Sequence, residues 1–447
     1  MRKYLALSVV ASTLLMAGGD VKPVEPVVEA VEEESVGTVS GQFRAFYVDR
    51  TIMRATGDNN RNSLSVGGWI GYDSAEWNGL SFGTKFYVTE ALKLHDGPTN
   101  SDSYDPSLYG PNFDSYGFIG EAYLNYKRGN TNFKIGRQKL NTPLAGADDA
   151  RLMPNLFEAA VLSNTDIEDT TLILGHITRM TTGDFSNVYG GLYDLAIQSG
   201  YGYGYQLAGS GNFTNMGTVA LGNEDANGNY IDNSTDGVTI GSVVYKNEGL
   251  TLQAWDYYAW DLMNSIYLQA DYGFNVSDSV KMKASAQYIN QSDVGDSLAG
   301  DVKGNYWAAK LGASAGALSG YVAYSQTLDD DSTLGHGIIT PWGGMPAFTQ
   351  GMVTRHQFFN DTDTWKVAGT YKMNELFDAN VKATAYYTSF DVGDASFAAN
   401  NKAEEFGWDV QYQVTKDLNL RARANYPRDF AAGLDWDEYR IIANYNF

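Results

Sequence analysis

The chain has 447 residues, 43% of them hydrophobic and 13% aromatic, which excludes a disordered polar protein. Its 53 Asp and Glu outnumber 31 Lys and Arg, and the net charge of -22 argues against a nucleic-acid partner. Because the chain has no Cys, thiolate metal sites, redox pairs and disulfides are excluded.

Residues 1–19 have the features of a secretory signal peptide. Arg2 and Lys3 precede an uncharged run over 5–16, and small residues follow it. The run is shorter than the ~20 apolar residues that a membrane-spanning helix needs, and no other segment is long and apolar enough to form one. We therefore expect export to the periplasm, with residues 20–37 as an acidic Pro/Val/Glu leader.

From residue 38 to 447 the chain alternates apolar and polar side chains. Val280, Met282 and Ala284, for example, alternate with Lys281 and Lys283. A period of two places the two sets on opposite faces of a strand. The pattern predicts 18 strands, over 38–48, 64–72, 80–91, 115–127, 131–138, 157–164, 170–179, 237–246, 250–259, 263–273, 280–290, 304–313, 318–327, 363–373, 378–389, 402–413, 418–426 and 436–447.

The links between these strands alternate in length. Long links follow most odd-numbered strands, over 49–63, 92–114, 139–156, 180–236, 291–303 and 328–362. Short links follow even-numbered strands, over 128–130, 247–249, 314–317 and 414–417. Long extracellular loops and short periplasmic turns are typical of an all-β, antiparallel transmembrane β-barrel, and 18 strands leave an aqueous lumen. Strands of this length are longer than those of a soluble sandwich or propeller.

Tyrosines also gather at one end of alternate strands, where they would form an aromatic girdle at one membrane surface. They are Tyr72, Tyr126, Tyr272, Tyr371, Tyr412 and Tyr445, with Tyr245 less certain in its facing.

If the apolar set faces lipid, the alternate set lines the lumen. The lumenal bases are then Arg44, Lys85, Lys134, Lys281, Lys283, Lys310, Lys366, Lys382, Arg421, Arg423 and Arg440. The lumenal acids are fewer, namely Glu121, Asp271, Glu405 and Asp409. Any single lysine is expected to pair with an acid. Arg421, Arg423 and Arg440, without an acid assigned to the lumenal set of their own strands, are predicted to form an unbalanced basic stripe.

The segment 136–158 breaks the alternation and mixes arginine with paired aspartates. An exposed loop would not need its Leu144, Leu152, Met153 and Leu156, so we expect 139–156 to fold into the barrel. Its charged residues and their neighbours would narrow the pore, namely Arg137, Asp148, Asp149, Arg151 and Glu158. Strand parity directs Arg137 outward unless a bulge resets the register.

The runs GRQ…TPL, DxRLxPxxFE and EYRIIANYNF, with the stretch 254–267, resemble the OprD-type outer-membrane porin family. The resemblance implies an 18-stranded barrel, a third loop folded inward as the constriction, and an arginine ladder in the lumen. By position, Asp149 and Arg151 would belong to the constriction and the three arginines of the stripe to the ladder. Several rungs are Lys instead of Arg, which weakens bidentate selection of carboxylates.

The resemblance also implies a Gram-negative outer membrane, with its lipids as partners, and passive uptake of small carboxylate-bearing solutes such as amino acids and organic acids. Phe447 and Tyr445 match the family's C-terminal signal for the barrel-insertion machinery.

Two other functions remain open, a barrel hydrolase and a structural or adhesive barrel. The four histidines, His95, His176, His336 and His356, lie outside any GxSxG or HExxH motif, although His356 near Asp361 could form a pair. We expect no enzymatic activity and no cofactor. A loop Ca²⁺ site at Asp225, Asn227, Asn229, Asp232 and Asp236 is the remaining alternative, although Tyr230 stands where such a loop needs Gly.

Overall fold

The computed structural model describes residues 36–447 except 55, 96, 186–209, 225–226, 330–336, 345, 375–378, 394–401 and 432–433. The predicted signal peptide and nearly all of the predicted leader therefore lie outside the described residues.

The described residues contain eighteen long antiparallel strands, each within a few residues of its predicted position. They are β1 (Gly37–Met53), β2 (Asn59–Ser74), β3 (Leu80–Leu92), β4 (Tyr116–Arg128), β5 (Thr131–Gln138), β6 (Leu156–Asn164), β7 (Thr170–Thr181), β8 (Val238–Asn247), β9 (Leu250–Ala259), β10 (Met263–Asn275), β11 (Val280–Asp293), β12 (Lys303–Ala315), β13 (Leu318–Thr327), β14 (Thr362–Lys372), β15 (Asn380–Val392), β16 (Lys402–Gln413), β17 (Leu418–Arg428) and β18 (Asp435–Asn446).

Short elements lie in the loops. The longest is the helix α1 (Met216–Leu221), and 3-10 turns form at Pro106–Leu108, Pro111–Phe113 and His356–Phe358. A two-residue hairpin joins Asn141–Thr142 to Ala145–Gly146. No helix among the described residues is long and apolar enough to cross a membrane.

The sheet closes on itself because β1 pairs with both β2 and β18. The last residue extends this seam: Phe447 N donates to Gly41 O at 3.1 Å, and Gly41 N donates to Phe447 O at 2.9 Å. A Cβ on Gly41 would lie only 2.4 Å from the Phe447 ring, so this position accommodates the ring because it is glycine. The predicted antiparallel barrel is confirmed, and closure leaves no free sheet edge in lipid.

Strand alternation separates the two faces of the barrel wall. Outward side chains such as Phe43, Ile70 and Leu124 are half exposed, whereas their inward neighbours are largely polar or pack against loops inside the barrel. The predicted tyrosines, including Tyr245, face outward near the periplasmic ends of their strands, as the register shows for Tyr72 opposite Val39. The alternation therefore predicted both faces of the wall.

The first predicted loop is shorter than expected. β1 and β2 continue to pair as far as Ile52 opposite Asn59, so the link is 54–58 instead of 49–63. The prediction ended β1 too early because it stopped at Val48, although inward positions continue at Arg50.

Candidate pore and its lining

The ten predicted ladder bases all occupy inward positions in their strands. They are Arg44, Lys85, Lys281, Lys283, Lys310, Lys366, Lys382, Arg421, Arg423 and Arg440. Lys134 also points inward, with its Nζ 3.5 Å from the centre of the Tyr123 ring. Because directly opposed residues share a face, strand parity is sufficient to assign these positions.

The arginine stripe is paired with acids. Arg421 Nη2 lies 2.6 Å and Arg423 Nε 3.1 Å from Asp409 Oδ2 on β16. Arg440 Nε contacts Oε1 of Glu438, two residues earlier on the same face of β18. The prediction of an unbalanced stripe without an acid in its own strands is therefore wrong, since Glu438 was overlooked.

A buried ionic cluster, which we call the Glu438 cluster, joins β1, β2 and β18. Arg50 Nη2 lies 2.6 Å from Glu438 Oε2, and Arg50 Nη1 lies 3.2 Å from Oδ2 of Asp105 in the loop 93–115. Arg61 Nε lies 3.4 Å from the same Asp105 oxygen. Sequence reasoning missed these residues, although continuing the alternation of β1 through Arg50 would have found that arginine.

The loop 139–155 lies inside the barrel. Leu144 N donates to Tyr257 Oη at 3.2 Å on β9, whereas Arg44 on β1 contacts Asp149 Oδ1 at 2.7 Å. The loop therefore reaches two separate parts of the inner wall. Its apolar residues Leu152 and Met153 are buried, as expected for a loop packed against the lumen.

Two of the predicted constriction residues, Asp149 and Arg151, are charged and differ in their exposure. Asp149 is only partly exposed, at 31% of its side chain, and accepts a hydrogen bond from Lys139 Nζ at 2.9 Å in addition to its Arg44 contact. Burial raises the pKa of Asp149, but the Arg44 and Lys139 charges outweigh it and hold the pKa well below its usual range. Arg151 is buried, and its Nη2 lies 3.1 Å from Glu438 Oε1. Burial lowers the pKa of Arg151 to about 10, so it stays charged at neutral pH.

Asp148 joins two loops instead of facing an open channel. Its side chain is buried, and Oδ1 accepts from Gly344 N at 3.1 Å in the loop 328–361. Gly146 N likewise donates to Trp342 O at 3.1 Å. The loops 139–155 and 328–361 are therefore joined inside the barrel.

Arg137 and Glu158 lie on the outer face of the barrel, so the prediction that they narrow the pore is wrong. They are opposed in the β5–β6 ladder and share the outward face of Ile135, which is 45% exposed. Arg137 Nε lies 3.0 Å from Glu158 Oε1. The bulges that could reset the register fall beside this ladder, in the β3–β4 and β6–β7 pairings.

The described part of the loop 328–361 also enters the barrel, which strand periodicity did not predict. Both carboxylate oxygens of Glu405 accept backbone N–H groups, from Met352 at 2.7 Å and from Val353 and Thr354 at 3.2 and 2.7 Å. Lys366 Nζ donates to Gln350 O at 2.5 Å. The length of this loop and its apolar residues were the available signals.

The three described histidines make contacts with the protein framework. His356 is buried with its Nε2 2.7 Å from Phe430 O, and burial lowers its pKa to about 4. His95 stacks on Tyr104 at 4.2 Å, and His176 Nδ1 lies 3.1 Å from Thr239 Oγ1 on the outer face. His336 lies outside the described residues.

The calcium hypothesis gains no support from the described residues of the loop. Asp225 lies outside the described residues, and Asp232 accepts from Ser234 N at 3.1 Å. Among the residues that the structure describes, no group of His, Asp and Glu could hold a metal ion.

Comparison with protein families gives one match over nearly the whole chain. The model of the outer membrane porin, OprD family, matches residues 34–447. The chain belongs to the OprD family of outer-membrane porins. An OprD-family barrel is a channel of the Gram-negative outer membrane and not an enzyme, which removes the hydrolase alternative. No curated protein matches the chain in sequence.

Solved porin structures share the fold of this OprD-family chain. OccK9 (OpdG) of Pseudomonas aeruginosa is 19% identical with a TM-score of 0.72, and OpdK of the same species with vanillate is 16% identical with 0.71. OccAB3 of Acinetobacter baumannii is 14% identical with 0.70. Each alignment covers 92% of this chain and at least 98% of the other chain. At these identities the likeness establishes the fold alone.

Proposed function

We propose that this OprD-family porin gives passive, partly selective passage to small solutes bearing a carboxylate. The single observation that carries the proposal is a row of inward bases near the periplasmic end, on three strands (β14, β15 and β17) of a run of four. Lys372 lies directly opposite Lys382 in the β14–β15 ladder, and Gln411 separates Lys382 from Arg421 in the next two ladders. We call this set the basic row.

Two directly opposed lysines repel each other, and a fold selected for stability alone would avoid them. Arg421 of the row shares one carboxylate, that of Asp409, with Arg423. A surplus of fixed positive charge inside a low-dielectric wall concentrates anions and lowers their barrier to entry. The basic row is therefore suited to carboxylates leaving the pore.

Closer to the extracellular side, the guanidinium groups also outnumber their carboxylate partners. Six arginines share four acids here; the arginines are Arg44, Arg50, Arg61, Arg151, Arg423 and Arg440, and the acids are Asp105, Asp149, Asp409 and Glu438. Arg44 and Asp149 are the pair at which the inward loop 139–155 meets the wall. This loop would narrow the channel beside a positively charged surface.

One of the similar structures, OpdK, was solved with vanillate, which is an aromatic carboxylate. That compound supports the solute class for this chain without identifying the solute. The outer-membrane lipids and the barrel-insertion machinery are the other partners in this proposal. Phe447, which pairs with Gly41 at the seam, would present the C-terminal signal to that machinery before the barrel closes.

Liposome swelling tests the solute class directly. Vesicles containing the wild-type protein are placed in an organic acid anion or in the amide of the same acid, which has nearly the same size and no charge. We expect faster swelling with the carboxylate. Replacing the basic row (Lys372→Gln, Lys382→Gln and Arg421→Gln together) should remove the difference while leaving amide permeation unchanged.

Arg128→Gln is the matched control because Arg128 faces outward at the periplasmic end of β4. It removes a positive charge without changing the lumen, so its swelling rates should equal those of the wild type. Equal carboxylate and amide rates in the wild type would contradict the proposal, as would a preference that survives in the triple variant.

A further inference from the structure

Three charged side chains lie on the lipid-facing side of the barrel, far from the basic row. Arg137, Glu158 and Arg179 stand side by side on β5, β6 and β7. Glu158 lies between the two arginines, with its Oε1 3.0 Å from Arg137 Nε and its Oε2 4.0 Å from Arg179 Nε. We call Arg137 and Arg179 the outer arginine pair and Glu158 the bridging acid.

The register places these residues at the extracellular edge of the lipid-facing band. Tyr258 lies opposite Thr239, which lies opposite His176, and Trp260 Nε1 donates to Thr239 Oγ1 at 3.0 Å. Arg179 is further towards the extracellular end of its strand than His176. The outer arginine pair therefore lies at or just beyond the level of these aromatic rings, where lipid headgroups begin.

On ten other strands the same level carries an aromatic side chain. Outward rings near the extracellular ends of their strands are Tyr47, Tyr258, Tyr288, Trp307, Tyr324, Trp365, Tyr387, Phe406, Tyr426 and Tyr439. Near the extracellular ends of β5 to β7 the described outward positions hold no Phe, Tyr or Trp, as is also true of β2, β4 and β8, and the outer arginine pair lies at this level. This observation is independent of the ion-pair geometry.

The pair has more positive charge than its bridging acid can neutralise. Arg179 is 59% exposed along its side chain, and Arg137 is 39% exposed. Arg137 is held in place from two sides, since its Nη1 donates to Ile119 O at 3.2 Å and its guanidinium lies 4.2 Å from the Phe213 ring centre. A positioned, partly exposed guanidinium beside an apolar surface is suited to an oxyanion.

A shallow groove runs along the wall below the charges. It has a volume of about 530 Å³, and its lining combines the charged Arg137 and Glu158 and the polar His176 and Thr178 with apolar and small residues such as Ile119, Ile135 and Gly136. Arg179 is not part of this lining. Small side chains on the groove floor leave space for a hydrocarbon chain, and the isoleucines provide apolar sides. The groove and the arginines together match an amphiphile with an anionic head and an acyl tail.

We propose that Arg137 and Arg179 bind the phosphate of a phosphorylated glycolipid in the outer leaflet, with one acyl chain in the adjoining groove. The site faces the bilayer and not the lumen, so a transported solute does not reach it. Guanidinium forks recognise phosphate bidentately, and basic sites at membrane surfaces bind lipid phosphates in this way. The bridging acid holds the two guanidinium groups close together and limits the affinity.

Native mass spectrometry of the full-length protein in detergent tests this site. The probes are an acylated diglucosamine lipid carrying phosphate groups and the same lipid without phosphate. The wild-type protein should retain the phosphorylated lipid about tenfold better, the difference expected for one charge-assisted contact. Arg137→Ala with Arg179→Ala should abolish that preference, whereas Arg128→Ala, at the opposite membrane surface, should keep it.

Glu158→Gln separates a lipid site from a purely structural ion pair. Removing the bridging charge should increase retention of the phosphorylated lipid, since the site then carries two uncompensated positive charges. Circular dichroism and resistance to unfolding in detergent show that each variant is folded. Equal retention of both lipids, retention unchanged by the double substitution, or complete displacement of the lipid by inorganic phosphate would overturn the proposal.

Discussion

Arg151 in the inward loop 139–155 reaches Glu438 on β18, with 3.1 Å between Nη2 and Oε1. The same carboxylate contacts Arg50 and Arg440, so one buried acid joins the loop to two strands at the barrel seam. Asp105 brings the loop 93–115 into the same cluster. The loops inside this barrel are therefore positioned by ion pairs with the wall as well as by apolar packing.

The first prediction concerns the Glu438 cluster. Glu438→Gln leaves three buried guanidinium groups without their shared counter-charge and should destabilise the barrel by about 3–5 kcal/mol. The matched control is Asp437→Asn, which breaks an accessible pair with Arg428 on the outer face and should cost less than about 1 kcal/mol. Urea unfolding in detergent, followed by tryptophan fluorescence, measures both. A similar loss in the two variants would contradict the role of the cluster.

We expect Asp184 to make the attachment of the inward loop depend on pH. Its carboxylate accepts from the amides of Leu152 and Met153 at 3.3 and 3.2 Å, and burial raises its pKa to about 8. A detached loop would return this group to a pKa near the usual ~3.9. Between pH ~3.9 and about 8, Asp184 is then protonated when the loop is attached and ionised when it is detached. Attachment therefore weakens as the pH rises from about 4 to about 8, and it changes little at higher pH.

Hydrogen exchange at Leu152 and Met153 measures this effect, once it is corrected for intrinsic base catalysis. Protection should fall with increasing pH in the wild-type protein. Asp184→Asn, which is neutral throughout, should show constant protection. A wild-type profile as flat as that of the variant would contradict the assignment.

Glu405 holds the loop 328–361 inside the barrel through three backbone N–H groups. Glu405→Ala should release this part of the loop, at about 1.5–3 kcal/mol for each charge-assisted hydrogen bond lost. Single-channel recordings should then show higher conductance. Glu404→Ala is the control because Glu404 faces outward and binds Tyr387 Oη. Unchanged conductance in the Glu405 variant would show that the loop does not obstruct the channel.

The barrel seam depends on the contact between Gly41 and Phe447. Gly41→Val places a side chain where the Phe447 ring lies and should cost about 1–3 kcal/mol through overpacking. Gly369→Val, on β14 where a Cβ would meet no atom within 4 Å, is the control. Comparing refolding yield and unfolding in urea for the two variants tests this contact. Equal stability would mean that the ring moves aside at no cost.

The strands were predictable because each face of the wall meets one environment. Apolar residues such as Phe43 and Leu124 face the lipid, whereas polar residues such as Arg44 and Lys134 face water and the inward loops. The two sets alternate along each strand, so a period of two appears in the sequence. The same alternation places Arg137 on the outer face. The structure confirms that facing and contradicts the predicted role of Arg137 in the constriction.

Contacts between loops and wall could not be predicted in the same way. Asp105 meets Arg50 and Glu405 meets Met352 through chain folding across the lumen, and local periodicity carries no information about such pairs. The contact between Glu438 and Arg440 could have been predicted, because residues two apart in a strand share one face.

If fixed positive charge in the lumen selects the solutes of this porin, the channel should be anion-selective. Reversal potential in planar bilayers under a potassium chloride gradient measures this selectivity. We expect an anion-selective potential for the wild-type protein and a shift towards zero when Lys372, Lys382 and Arg421 are all replaced by Gln. A cation-selective wild-type channel, or a triple variant with the wild-type potential, would contradict it.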